Sequence, residues 1–158
     1  GGDEVRKAVS GLEPAKVDAA FNAVRAYGNA LPASNGKTAT IGFCWGGAAS
    51  FRYATQQPGL NAAVVYYGST PGNGDFTVTR IPVLGLYGGD DNRVNATIPA
   101  ADSGMRAANR SFESHVFAGA GHGFLRARSD STRGAQNSAA SRAAWPLTVA
   151  FFRKHLGS

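Results

Sequence analysis

The chain has little sulfur: one cysteine and one methionine in 158 residues. A single cysteine excludes an intramolecular disulfide and leaves one free thiol. Long apolar runs are missing too. None approaches the ~18 residues that a membrane-spanning helix needs. No His/Cys/Asp cluster has ligand spacing, so no metal is expected. Charged residues make up only 16% of the chain, yet they are unbalanced, 16 Lys and Arg against 10 Asp and Glu, for a net charge of +6. Basic runs are absent. Arg25, Arg52, Arg80, Arg93, Arg106, Arg126, Arg128, Arg133 and Arg142 stand singly, with no aromatic residues interleaved among basic ones. That scatter reads as a solvated basic surface, not as a nucleic-acid footprint. It suits attraction of a small anionic substrate. The start, Gly1-Gly2-Asp3-Glu4-Val5, has neither a basic n-region nor an apolar h-region. With the free thiol this points to a cytoplasmic protein, a processed periplasmic form being left open.

What is present suffices for a folded domain. Hydrophobic residues make up 43% of the chain, and a chain of this length buries roughly 70% of its unfolded surface. One domain over residues 1–158 is expected. Pro14 can open a helix whose apolar stripe is Val17, Ala20, Phe21, Val24 and Tyr27, ended by Gly28-Asn29. Strands are expected at Thr38–Phe43, Ala62–Tyr67, Val83–Tyr87 and Ser114–Phe117. Three are continuous apolar runs, the pattern of parallel strands covered on both faces. Helices are expected after Cys44, near Ala100–Asn109 and over Ala139–Leu156, where Pro146 should kink the helix or restart it. Ser69–Gly74 and Arg126–Ser138 read as loops, the second as the most mobile one. The alternation gives an α/β layer fold.

The cysteine lies where a strand hands over to a helix, in Gly42-Phe43-Cys44-Trp45-Gly46-Gly47. A nucleophile in Gly-x-Nuc-x-Gly on such a turn is lifted clear of its neighbours, and glycines leave room beside it. The helix N-terminus that follows should favour thiolate over thiol. A thiol nucleophile needs a base, and the base an orienting acid. His122 follows one expected strand, in Gly119-Ala120-Gly121-His122-Gly123-Phe124, and Asp90 and Asp91 follow another, in Gly88-Gly89-Asp90-Asp91. Sites of open α/β sheets lie at such C-terminal strand ends. The chain order nucleophile, Asp, His is that of α/β-hydrolases, with Asp90 and Asp91 as rival acids. His115 and His155 fall outside the strand-end loops and read as structural.

These segments, with Pro82–Gly88, Asp91 and Val94, and Ala150–Leu156, resemble the dienelactone hydrolase family from about Val17 to Leu156. The resemblance implies a three-layer α/β-hydrolase fold, a mainly parallel sheet with helices on both faces. It also implies hydrolysis of a lactone or ester through a thioester, without a cofactor. Cys44 matches the nucleophile and His122 the base. Asp91 matches the acid, because the family's acid stands three residues before a valine. The backbone N–H of Trp45 matches one half of the oxyanion hole. Arg126, four residues after the histidine, matches an arginine that holds a substrate carboxylate.

Full members of that family are about half as long again and carry strands before the elbow. Those strands supply a second oxyanion donor, an activating glutamate and another arginine. Nothing before Thr38 reads as a strand, and Glu4 and Glu13 have no motif context. The expectation is therefore a piece of a longer protein, or a reduced relative that pairs with itself or a partner through an exposed sheet edge. Two alternative functions go with it: a catalytically silent binding or scaffold piece, and a general carboxylesterase.

Overall fold

Four short runs of Ala, Val, Ile, Leu and aromatic residues build the sheet that positions everything else. The computed structural model describes residues 2–72 and 76–157, which divide into two compact units, Gly1–Lys37 and Thr38–Ser158. The first unit holds two helices, α1 (Gly2–Ser10) and α2 (Pro14–Ala30). Pro14 stands in the first turn of α2, where its missing N–H costs nothing. Glu13 precedes the helix and pairs with Lys16 at 2.9 Å, a local and exposed contact. The helix expected to carry the apolar stripe forms, but its stripe is not buried. No α2 residue is buried, and Val24 and Tyr27 are each 71% exposed. A unit this short has too little surface to bury to build a core of its own.

The second unit contains the sheet. Strands β1 (Ala39–Phe43), β2 (Ala62–Tyr66), β3 (Val83–Gly88) and β4 (Phe112–Phe117) lie in the order β1-β2-β3-β4, all parallel. Every residue of β2 and β3 is buried, as continuous apolar runs require. The outer strands are partly open. Ile41 and Phe43 of β1 are 39% and 41% exposed.

Alternation along the strands assigns helices to both faces. Ala62, Val64, Tyr66, Leu84 and Leu86 join Ala140, Ala144 and Phe151 of α6 (Ala135–Phe152) in one cluster. The Tyr66 and Thr148 hydroxyls are hydrogen-bonded across that contact at 2.7 Å. On the opposite face Val83 is in register with Phe112, whose ring stacks 5.6 Å from Phe51 of α3 (Trp45–Ala54). Two further helices, α4 (Asn92–Asn95) and α5 (Ile98–Ala107), connect β3 to β4.

Three expectations are corrected. Residues 126–138 are not an open loop. Two 3-10 turns, Phe124–Arg128 and Ser131–Arg133, lead directly into α6. The second turn is capped by the Asp130 carboxylate, which accepts from the Thr132 N–H. The fresh start expected as one alternative at Pro146 does not occur, and α6 runs through it as one helix. Burial of Ala140, Ser141, Ala144, Thr148 and Phe151 along it outweighs the hydrogen bond that proline removes. Tyr67 leaves β2 for a left-handed backbone, φ 39°. The loop expected at Ser69–Gly74 is irregular through Gly72; Asn73 and Gly74 lie outside the described residues.

Candidate active site

The turn from β1 into α3 is held by backbone approaches too close for side chains. Cys44 has φ 54° and ψ −119°, a conformation that costs a non-glycine residue about 1–3 kcal/mol and needs support from its surroundings. The Cys44 N–H donates to the Tyr66 carbonyl and its own carbonyl accepts from Ala48, both at 3.1 Å. A Cβ at Gly42 would lie 1.9 Å from the Gly46 carbonyl oxygen, and one at Gly47 would lie 2.6 Å from the Tyr66 oxygen. At Gly46 a Cβ would meet nothing within 4 Å. The required glycines are therefore Gly42 and Gly47, and the expectation that Gly46 must be small is corrected.

Asp91 and His122 meet. Asp91 stands just before α4, 8% exposed, with its Oδ2 2.5 Å from His122 Nδ1. A carboxylate on Nδ1 fixes that nitrogen as the protonated one and leaves Nε2 to accept a proton. The two loops are braced against each other. Gly89 N–H donates to the Phe117 carbonyl at 2.8 Å, and Asp90 N–H donates to the Ala120 carbonyl at 2.9 Å. Asn95 Nδ2 donates to the Gly88 carbonyl at 2.8 Å, and Gly121 N–H donates to Asn137 Oδ1 at 2.8 Å. Of the two rival carboxylates, Asp91 is the one turned to the imidazole, while Asp90 is exposed.

Tyr67 stands against the imidazole and within electrostatic reach of the thiol. It is 3% exposed, and its ring centre lies 5.2 Å from that of His122 and 5.3 Å, edge-on, from that of Phe124. Burial holds its phenol well above the usual range, and the neighbouring Cys44 and Tyr66 add to this. The positive charge of Arg126 and the Leu125 backbone oppose that rise. Arg126 stands exposed on the 124–128 turn.

The Cys44 thiol is pushed above its ordinary value, chiefly by burial. Arg126 opposes the shift, Asp91 adds to it, and Arg93 opposes it more weakly. The preference for thiolate expected from the helix N-terminus is thus corrected: desolvation wins over the positive surroundings. Asp91, Arg93 and Arg126 all lie within electrostatic reach of the sulfur. Trp45, 45% exposed, is the first residue of α3, a position whose N–H has no intrahelical acceptor.

The remaining histidines stand elsewhere. His115 bonds Glu113 at 2.7 Å on β4, and His155 lies edge-on to Phe151, its ring centre 4.7 Å away. Among the described residues no group of three His, Cys, Asp or Glu side chains could hold a metal ion. No helix among them is long and apolar enough to cross a membrane. Sequence reasoning missed Tyr67 and Arg93. The doublet Tyr66-Tyr67 before Gly68, at the end of a buried strand, was the available signal for the first. Arg93 stands two residues beyond Asp91, inside a segment already singled out.

Comparison with known proteins identifies the family. A provisionally named carboxymethylenebutenolidase of Escherichia coli (strain K12) is 32% identical over 127 residues, 73% of this chain and 45% of that protein. One of the same name from Saccharolobus solfataricus is 31% identical over 135 residues, 84% of this chain and 50% of that protein. The chain therefore spans about half the length of the curated relatives it matches. The crystal structure of a provisionally named dienelactone hydrolase from Klebsiella pneumoniae superposes with a TM-score of 0.81 at 28% identity, covering 92% of this chain and 64% of that one. The dienelactone hydrolase family model matches residues 3–156, nearly the whole sequence, and the chain belongs to that family.

Proposed function

We propose that the chain hydrolyses a lactone or carboxyl ester, preferably an anionic one, through a thioester on Cys44. The observation that carries this reading is the Asp91–His122 contact at 2.5 Å, made beside a cysteine on a left-handed strand-to-helix turn. Because burial keeps the thiol neutral at rest, attack requires a base. His122 Nε2 takes the Sγ proton as sulfur adds to the carbonyl carbon, and Asp91 stabilises the imidazolium. The oxyanion accepts from the Trp45 N–H. Collapse breaks the C–O bond, and the imidazolium proton passes to the departing alkoxide, which in a lactone stays tethered to the acyl group. Water then gives a proton to His122 and adds to the thioester. The second collapse releases the acid, and the imidazolium proton returns to sulfur. Arg126 holds the substrate carboxylate near the scissile bond. These steps use only this chain and water.

A burst experiment with p-nitrophenyl acetate tests the proposal. One equivalent of nitrophenol per Cys44, followed by slower turnover, is expected, and Cys44→Ala should abolish both phases. A burst that survives Cys44→Ala would rule out the cysteine as nucleophile. No burst from the intact chain would favour the silent binding piece over the hydrolase.

A further inference from the structure

The two arginines near Cys44 come from different strand ends. Arg126 follows β4, while Arg93 lies on α4 after β3 and reaches back to the end of β2, where its Nη1 is 3.5 Å from Ser69 Oγ. That juxtaposition is braced. The Thr70 N–H donates to Thr97 Oγ1 at 3.0 Å and the Thr70 hydroxyl donates to the Thr97 carbonyl at 2.9 Å. Thr97 Oγ1 in turn donates to the Val94 carbonyl at 2.7 Å. The segment carrying Ser69 is thus clamped to the segment carrying Arg93. On its far side the same β2 end cradles the elbow, since a Cβ at Gly68 would lie 2.3 Å from the Ala48 nitrogen.

Neither arginine is spent on an internal carboxylate. Asp91 is engaged by His122, Asp102 by Arg106 and Asp130 by Arg133. Among the described residues Arg93 and Arg126 have no ion-pair partner. Arg126 lies on the turn that follows His122, while Arg93 lies on α4 against Ser69, so the two charges approach the site from different strand ends.

We propose that Arg93 and Ser69 form a second anion subsite beside Cys44, so that the substrate is an ester or lactone carrying two carboxylates. One carboxylate lies near the scissile carbonyl, on Arg126. The other lies farther along the acyl chain, on the Arg93 guanidinium and the Ser69 hydroxyl. This rests on the hydrolase reading above and adds the charge and reach of its substrate.

The test uses p-nitrophenyl esters whose acyl chains carry none, one or two carboxylates. Arg93→Ala should raise KM for the two-carboxylate ester by ~10–100-fold, the usual worth of a lost hydrogen bond to a charged group. It should leave kcat and the neutral ester nearly unchanged, with Arg93→Lys intermediate because an ammonium lacks the guanidinium fork. Arg126→Ala should weaken both anionic esters. Equal losses on all three esters from Arg93→Ala, or none on any, would overturn the subsite. A second measurement stands apart from turnover: calorimetric binding of tricarballylate and of butyrate to the Cys44→Ser protein. Selective loss of tricarballylate affinity on adding Arg93→Ala supports the subsite even if no ester is hydrolysed. Unchanged affinity, or none to begin with, defeats it. Failure of the neutral ester to react at all counts against the hydrolase reading alone.

Discussion

Burial and charge pull the Cys44 thiol in opposite directions, and burial wins. The ordinary value for such a group is 9.0, so a rise leaves less thiolate at neutral pH than an ordinary cysteine has. Only the thiolate alkylates. Iodoacetamide labelling of Cys44 should therefore be slower at pH 7 than that of a free cysteine peptide, and should accelerate only as pH climbs past the ordinary thiol range. Mass spectrometry of the labelled chain across pH 6–10 gives the curve; half-maximal rate below that of the peptide would contradict the burial argument. The sequence made the cysteine, histidine and aspartate legible because each stands in a short glycine-flanked motif at a strand end. It could not order the competing effects on the thiol, because desolvation depends on which side chains close around Cys44. Tyr67 was hidden for a related reason. Its left-handed φ of 39° turns a residue that reads as the last of a strand into the wall of the site.

At the scale of one element, the elbow separates two glycines that look equivalent in sequence. Gly42→Ala puts a methyl against the Gly46 carbonyl at 1.9 Å, where backbone meets backbone and neither can yield. A loss of more than about 3 kcal/mol is expected, together with the geometry of Cys44. Gly46→Ala meets open space inside α3 and replaces a poor helix former with the best one. It should be neutral to about 1 kcal/mol stabilising. Urea unfolding of the two variants decides; equal destabilisation would remove the interlock. The strands β2 and β3 were readable as unbroken apolar runs, and β4 was caught only from Ser114 onward. Its burial is partial, so its pattern is diluted. The path of α6 through Pro146 was unreadable, because the packing that overrides the proline comes from β2 and β3.

At the scale of the molecule, a net charge of +6 draws anions from a distance. The kcat/KM for a carboxylate-bearing ester should fall several-fold as salt rises from 10 mM to 0.5 M, while that for a neutral ester stays level. Parallel declines would mean that salt perturbs the fold and not the approach of substrate. The strand order has a consequence of its own. Cys44 hangs from β1 and His122 from β4, the first and last strands of the sheet, with Asp91 following β3. The strands that carry these groups are the two ends of the sheet's hydrogen-bonded ladder, so bringing the groups to one site requires all four strands in order. The proposed site is thus indivisible: a deletion that removes any one strand between Ala39 and His122 leaves the parts without their common frame.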